Sequence, residues 1–86
     1  MIGVWNLNMS IESEYNKLLQ RVATNVRRLR KECGLTQEEM SRKGGFNYRF
    51  YQKLESGKYS PNLYTLFRIA KTQGVKISDL LDRSPK

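Results

Sequence analysis

The stretch TQEEMSRKGGFNYRFYQKLESGK, residues 36–58, contains two short helical patterns separated by only four residues, 44–47. Thr36 and Glu39 have the spacing of a capping box, which predicts that the first of these helices begins directly after Thr36. The two glycines that follow predict its end, because glycine adopts backbone conformations that residues with a side chain avoid. Asn47 predicts the cap of the second helix. Neither helix is long enough to be stable alone, so we expect them to pack against each other and against the rest of the chain.

A long helix is predicted before this stretch. Its expected cap is Ser10 and its expected end is Gly34, and its apolar residues recur at spacings of three and four. This apolar stripe consists of Ile11, Tyr15, Leu18, Leu19, Val22, Val26, Leu29 and Cys33. The spacing predicts that the stripe packs in the core, and Cys33 is therefore expected to be a buried thiol.

Two more helices are predicted after Gly57, which is the expected end of the helix that Asn47 caps. Asn62 is the expected cap of a fourth helix and Gly74 its expected end, and a short fifth helix follows. The residues expected to face inward are Met40, Leu63, Leu66, Phe67, Ile69, Ala70, Ile77, Leu80 and Leu81. Because no strand pattern occurs, the predicted fold class is all-α, a compact five-helix domain with an extended first helix.

Composition limits the class of protein. The chain has 86 residues, which is enough for one small domain, and 16 basic residues against 8 acidic ones give it a net charge of +8. Residues 21–58 hold ten of the basic and four of the acidic residues. A basic excess of this kind favours a polyanionic partner, nucleic acid first. With one cysteine and no histidine we expect neither a Cys/His metal site nor a cofactor, and no set of residues resembles the catalytic site of an enzyme.

The chain ends suggest simple boundaries. Residues 1–9 are predicted to be a disordered or flexible extension, residues 10–82 the domain, and residues 83–86 a tail. The N-terminal residues lack the basic start and the apolar run of a signal peptide, and no segment has the length of a membrane span. We therefore expect a cytoplasmic protein that does not bind a membrane.

The helix that follows Asn47 has two contrasting faces, because successive residues turn by about 100°. One face carries Phe46, Phe50, Tyr51 and Leu54. The other carries Tyr48, Arg49, Gln52 and Lys53. This second set donates hydrogen bonds and contains no carboxylate, which suits the acceptor-rich edge of guanine and the phosphates beside a major groove. On these four residues alone, an ordinary solvated helix face remains an open interpretation.

Three segments together resemble the helix-turn-helix of the lambda-repressor/Cro-like family, also called Xre-type regulators. They are VRRLRKECGLTQEEM (26–40), GFNYRFYQKLESGKYSPNL (45–63) and LFRIAKTQGVKISDLL (66–81). The resemblance covers about sixty of the 86 residues, from Val22 to Leu81. It implies a lambda-repressor-like domain with a central helix-turn-helix, whose first helix braces the second in the major groove.

The resemblance also implies roles for individual residues. The base-reading positions are Tyr48, Arg49, Gln52 and Lys53, and Arg49 is the strongest candidate for a bidentate contact to guanine. The phosphate-binding positions are Gln37, Asn47, Lys58 and Asn62. Arg30 and Glu55 match a structural ion pair that bridges the first and third helices in the family.

The sequence departs from the family pattern at three positions. Ser41 stands where alanine is usual, Gln73 where a core leucine is usual, and Lys76 where a capping serine is common. The last two are expected to weaken the region of the fourth and fifth helices, which is often the dimer surface.

The leading hypothesis is a sequence-specific transcriptional regulator that binds double-stranded DNA as a homodimer on a near-palindromic operator, with a recognition helix at about residues 47–56 in the major groove. Two dimer surfaces remain open. One is the region of the fourth and fifth helices with Tyr64, Phe67, Ile77 and Leu81, and the other is the first helix around Ile11, Tyr15 and Leu18. The alternative function is a protein-interaction module, an antitoxin or adaptor, because seven of the nine aromatic residues lie between residues 46 and 67.

Overall fold

The computed structural model describes residues 4–83, with side chains from residue 11 onward. This part of the chain forms five α-helices and no strand: α1 (Val4–Glu32), α2 (Gln37–Gly44), α3 (Tyr48–Ser56), α4 (Leu63–Gln73) and α5 (Ile77–Leu81). The predicted all-α fold of five helices is therefore confirmed. α2 packs against α3, while α1 supports α3 and α4 supports α2.

The ends of the three middle helices lie where their caps predict them. Thr36 Oγ1 accepts the Glu39 N–H at 3.0 Å, and the Glu39 carboxylate accepts the Thr36 N–H at 2.9 Å, which completes the capping box. The side-chain oxygens of Asn47 and Asn62 each accept the backbone N–H three residues ahead, at 3.1 and 2.8 Å. Gly45 caps the end of α2, and its φ of 74° is the left-handed conformation that favours glycine.

α1 is longer than predicted. Its backbone is helical from Val4, so Ser10 lies inside the helix and is not its cap. The predicted extension, residues 1–9, begins with residues 1–3, which lie outside the described residues, and its flexibility stays a prediction. Of the predicted tail, residues 83–86, only Arg83 is described.

The apolar stripe of α1 enters the core only partway along the helix. Val22 and Val26 are buried, but Ile11 is 56% and Tyr15 43% exposed. The Tyr15 hydroxyl still hydrogen-bonds that of Ser60, in the loop after α3, so this part of α1 touches the domain without being buried by it. The prediction of a buried Cys33 is also wrong, because this thiol lies just after the last turn of α1 and is exposed.

α4 buries a narrower face than its sequence predicts. Ile69 is buried, but Leu63 is 71% and Phe67 48% exposed, so the prediction that these two face inward is wrong. Gln73 is buried, and its Nε2 donates to the backbone carbonyl of Val26 at 3.1 Å. A polar side chain therefore ties α4 to α1 where the family has leucine.

The other two departures from the family pattern are satisfied locally. The buried Ser41 hydroxyl donates to the carbonyl of Glu38 at 2.9 Å, within the same helix. Lys76 provides no side-chain cap, but its backbone N–H donates to the carboxylate of Asp79 at 2.9 Å. This is the reciprocal half of a capping box, in which Asp79 accepts from the cap residue while no described side chain accepts the N–H groups of the first turn of α5.

The core is small and draws on every helix. Met40 of α2 and Tyr51 of α3 are 0% exposed at its centre. Around them lie Val22, Val26, Leu54, Ile69, Ala70 and Leu80. Asn25 of α1 is equally buried, and its Nδ2 donates to the carbonyls of Leu80 and Asp82 at 2.9 and 2.7 Å, which attaches the end of α5 to α1.

A buried ion pair joins α1 to α3. Glu55 is 2% exposed, and its carboxylate accepts from Arg30 Nε at 2.7 Å and from Arg30 Nη2 at 3.2 Å. Arg30 Nη1 donates to the carbonyl of Leu35 at 2.7 Å, and Gln37 Nε2 donates to Glu55 at 2.9 Å. The ion pair and its neighbours therefore connect α1, the loop before α2, α2 itself and α3.

The pair stays ionised despite its burial. Desolvation acts to raise the pKa of the Glu55 carboxyl, but its polar neighbours, Arg30 first among them, more than offset this and hold the pKa below its ordinary value. The hydrogen bond to Glu55 raises the pKa of Arg30. The hydroxyl of Tyr51 lies beside the pair, and burial raises its pKa, so it stays protonated.

We expect Glu55→Gln to lower the free energy of unfolding by about 3 kcal/mol at pH 7, because it leaves the buried Arg30 guanidinium without a counter-charge. Urea denaturation followed by circular dichroism measures the loss. Glu38→Gln is the matched control, since Glu38 is an exposed residue of α2 and the same substitution there should change stability little.

The loss should also depend on pH. The pKa of Glu55 is lower in the folded chain than its unfolded value of about 4.3, so its stabilisation is complete above that pH and disappears as the pH falls through the folded value. The difference in free energy of unfolding between wild type and Glu55→Gln should therefore decrease as the pH falls. The same difference in free energy of unfolding at pH 7 and at the lowest pH where the protein folds would contradict this account.

Candidate nucleic-acid interface

The turn between α2 and α3 is closed by backbone hydrogen bonds. The N–H of Phe46 donates to the carbonyl of Ser41 at 2.7 Å, and the N–H of Gly45 donates to that of Arg42 at 3.3 Å. A Cβ on Gly44 would lie 2.5 Å from the ring of Phe46. A side chain at residue 44 would therefore force the Phe46 ring out of its position in the turn.

α3 buries one face and exposes the other. Tyr51, Leu54 and Glu55 are buried, and Phe50 is half-buried. The four side chains of the opposite face, Tyr48, Arg49, Gln52 and Lys53, are all exposed. The predicted division of this helix into an inner and an outer face is confirmed.

The outer face of α3 carries positive charge without a counter-charge. Within the described part of the chain, the side chains of Arg49 and Lys53 form no hydrogen bond and no ion pair. The acidic residue of this helix, Glu55, points to the opposite side, toward Arg30. The two cations are therefore available to an external anion.

The uncharged residues of this face are loosely connected. Gln52 Nε2 lies 3.3 Å from the hydroxyl of Tyr48 and 3.4 Å from Oε1 of Gln37. Both distances are long for hydrogen bonds, so their loss to a competing partner costs little. The three side chains form a polar strip from the start of α2 to the middle of α3.

Gln37 has a second role that its sequence position does not reveal. Its Nε2 donates to Glu55 at 2.9 Å, which holds the half-buried amide toward α3. An amide nitrogen has two hydrogens, so one can remain on Glu55 while the other donates outward. The helix cap of Asn47 likewise occupies only the side-chain oxygen and leaves its NH₂ group outside the cap.

The other predicted phosphate-binding residues lie on the loop after α3 and at its end. Lys58 is exposed, and its backbone N–H donates to the Ser56 hydroxyl at 3.2 Å. Tyr59 packs edge-on against Phe50 with 5.2 Å between ring centroids, which anchors the loop to α3. Asn62 is exposed at the start of α4. The structure thus brings the loop, α3 and the start of α2 into one continuous region.

Besides Arg30, two arginines outside α2 and α3 contact these helices or their turn, and the sequence predicted neither contact. Arg27 of α1 donates to the carbonyl of Glu55 near the end of α3. Arg68 of α4 donates from Nη2 to the carbonyls of Gly44 and Gly45 at 2.7 and 3.0 Å. The only sequence signal for Arg68 is a basic residue within a largely apolar helical pattern, which does not indicate its partner.

No helix in residues 4–83 is both long and apolar enough to cross a membrane. The sequence model of the HTH_3 family, described as helix-turn-helix, matches residues 26–80. An uncharacterized HTH-type transcriptional regulator of Sinorhizobium fredii, y4dJ, is 40% identical over 60 residues, which cover 70% of this chain and 78% of the relative. The cryptic phage CTXphi transcriptional repressor RstR of Vibrio cholerae is 37% identical over 62 residues, which cover 72% of this chain and 56% of the repressor.

Solved structures have the same arrangement of helices. The hypothetical transcription factor NHTF from Neisseria superposes with a TM-score of 0.74 at 27% identity, over 77% of this chain and 76% of that one. An HTH_3 family transcriptional regulator from Vibrio cholerae superposes with a TM-score of 0.71 at 25% identity, over 76% of this chain and 36% of that one. The chain belongs to the lambda-repressor-like (Xre-type) HTH_3 family of helix-turn-helix proteins, which are DNA-binding transcriptional regulators and not enzymes.

Proposed function

We propose that this chain is a sequence-specific, cytoplasmic regulator that binds double-stranded DNA as a homodimer and inserts α3 into the major groove of each half-site. The observation that carries the proposal is the outer face of α3, where Arg49 and Lys53 are exposed without a counter-charge. Guanine presents two acceptors in the major groove, and phosphates line its edges, so both cations have a matching partner there.

The residues of this face differ in the contacts to DNA that their side chains suit. Arg49 is on the first turn of α3, and its planar guanidinium suits the two acceptors of one guanine. Lys53, one turn later, is a point charge that can contact guanine or phosphate. Tyr48 and Gln52 add hydrogen-bonding groups that exchange their long mutual contact for contacts to bases.

The phosphate contacts are proposed for the rim of this face. Gln37 and Asn47 each have amide hydrogens left over from their intramolecular bonds, and both lie at the start of a helix, where the dipole favours an anion. Lys58 and Asn62 extend the rim along the loop after α3. Together these four residues would hold α3 in register with the groove.

A homodimer is proposed because one recognition helix covers too few base pairs to select a single site in a genome. Two-fold symmetry would place the two copies of α3 about 34 Å apart on one face of the DNA. Of the two candidate surfaces, we favour α4, where Leu63, Tyr64 and Phe67 are all exposed within five residues. Ile77 and Leu81, by contrast, are half-buried against the core.

The second candidate function is a protein-interaction module. The exposed rings of Tyr64 and Phe67 favour it, since large apolar side chains on a surface are typical of protein contacts. Its binding would depend on apolar burial more than on charge, so salt distinguishes the two functions.

DNA binding should weaken steeply with salt. If a dimer neutralises about 6 to 8 phosphates, the slope of log K against log salt should be about −5 to −7. Selection from a random DNA pool first identifies the preferred sequence, and fluorescence anisotropy on that duplex gives the slope. A slope near zero would contradict the DNA function and favour the protein partner.

Arg49→Ala should lose about 1–3 kcal/mol of binding free energy on the preferred sequence and leave binding to random DNA nearly unchanged, because a base contact supplies discrimination. Lys58→Ala is the comparison, since a phosphate contact contributes equally to every sequence. It should weaken both kinds of DNA together and make the salt slope shallower by about one. Identical behaviour of the two variants would show that the roles are wrongly assigned.

The dimer surface can be located by placing one charge on each candidate face. Phe67→Glu puts a carboxylate on α4 and Ile11→Glu puts one on α1, at positions that are 48% and 56% exposed, so neither should unfold the monomer. We expect only Phe67→Glu to halve the mass of the free protein and to prevent two protomers from binding the preferred duplex together. The reverse result would assign the interface to α1, and a wild-type protein that stays monomeric on DNA would contradict the dimer.

A further inference from the structure

We propose that Arg68 of α4 is a positioning residue for DNA recognition, which holds the angle between α2 and α3 by binding the turn that joins them. The inference rests on the proposed function, because it concerns how the outer face of α3 is presented to DNA. Arg68 is half-buried and lies outside the two helices of the motif, so its contribution would be indirect.

The first observation is where the guanidinium donates. Its Nη2 lies 2.7 Å from the carbonyl oxygen of Gly44 and 3.0 Å from that of Gly45. These carbonyls are at the C-terminal end of α2, where the helix dipole is negative. No further turn of helix follows to donate N–H groups to them. A charged donor is therefore well suited to this point, and it acts on the backbone that defines the turn.

The second observation is what the guanidinium covers. Its central carbon lies 4.4 Å from the centroid of the Phe46 ring, within the range of a cation–π contact. Phe46 in turn packs against Phe50 and Tyr51 of α3, with ring centroids 6.4 and 5.9 Å apart. One side chain thus contacts the end of α2 through hydrogen bonds and the base of α3 through an aromatic cluster.

The third observation is that α4 approaches the turn closely. A Cβ on Gly44 would lie 3.2 Å from the hydroxyl of Thr72, and a Cβ on Gly45 would lie 3.2 Å from Arg68 Nη2. Thr72 also donates to the carbonyl of Arg68 at 2.9 Å. α4 therefore lies directly against the turn at Gly44, where Thr72 and Arg68 both approach it.

These contacts matter because base reading requires accurate placement. A recognition group must be held within about 0.5 Å and roughly 10–20° of its productive geometry. The four base-reading side chains begin at Tyr48, directly after the cap that follows Phe46. A tilt at the turn would move all of them together relative to Gln37 on α2, so the base contacts and the phosphate contacts would no longer fit at once.

The test compares Arg68→Met, Arg68→Lys and the control Arg83→Met in the full chain, after thermal unfolding has shown that each is folded. Arg83 is an exposed arginine beyond α5, so its substitution removes the same charge without touching the turn. For each variant, fluorescence anisotropy measures affinity for the preferred duplex and for random duplex at several salt concentrations. The measured quantities are the ratio of the two affinities and the salt slope.

We expect Arg68→Met to reduce the affinity ratio by about tenfold with an unchanged salt slope, because discrimination is lost and no phosphate contact is removed. Arg68→Lys keeps the charge and a single donor nitrogen but loses the planar guanidinium over Phe46, so it should reduce the affinity ratio by less than Arg68→Met does. In the free protein, amide exchange at Phe46 should be faster in Arg68→Met than in Arg83→Met.

Two results would overturn the positioning role. A salt slope that becomes shallower by about one would mean that Arg68 binds phosphate directly. An unchanged affinity ratio in both Arg68 variants, with a lower melting temperature alone, would mean that it only stabilises the fold. A wild-type chain that does not prefer any sequence would instead contradict the proposed function, so the two failures are distinguishable.

Discussion

Glu55 brings a negative charge into the interior of a small helical domain, where an isolated carboxylate would cost several kcal/mol. Its donors come from different parts of the chain: Arg30 from α1 and Gln37 from the start of α2. Arg30 also donates to the carbonyl of Leu35, in the loop between those helices. If α1, α2 or α3 shifted, at least one of these groups would be left buried without its partner. The pair therefore specifies the relative placement of three helices, which a few apolar contacts in so small a core would specify less sharply.

The same constraint explains the contrast between the two faces of α3. Because the carboxylate of Glu55 is bound by Arg30 and Gln37 on the inner side, it does not neutralise Arg49 or Lys53 on the outer side. The nine-residue helix α3 thus carries a paired negative charge on its buried face and unpaired positive charges on its exposed face. Gln37 belongs to both systems, since one amide group contacts Glu55 and Gln52. The interior that determines the position of α3 is therefore continuous with the surface proposed to contact DNA.

Local features of this fold could be predicted from the sequence, and long-range ones mostly could not. The capping box at Thr36 and the caps at Asn47 and Asn62 depend on residues within three positions of one another, so their spacing is sufficient evidence. The contacts of Arg68 with the turn join residues more than twenty positions apart, and no local pattern encodes them. The Arg30–Glu55 pair was anticipated only through resemblance to a family. The start of α1 was misplaced because Ser10 is a good cap residue that the longer helix does not use.

The apolar residues that were wrongly predicted to be buried have one feature in common. Ile11 and Tyr15 on α1, and Leu63 and Phe67 on α4, all have helical apolar spacing, and all are exposed in the isolated chain. Spacing shows that a face is apolar, but it does not show whether the chain itself or a second molecule covers that face. The four short helices cover only part of α1. Of these helices, α4 buries one side and leaves its other apolar side exposed. The apolar residues that stay exposed lie on the two surfaces proposed for the dimer. Helical spacing alone therefore does not separate an apolar residue that the core buries from one on which a partner is proposed to bind.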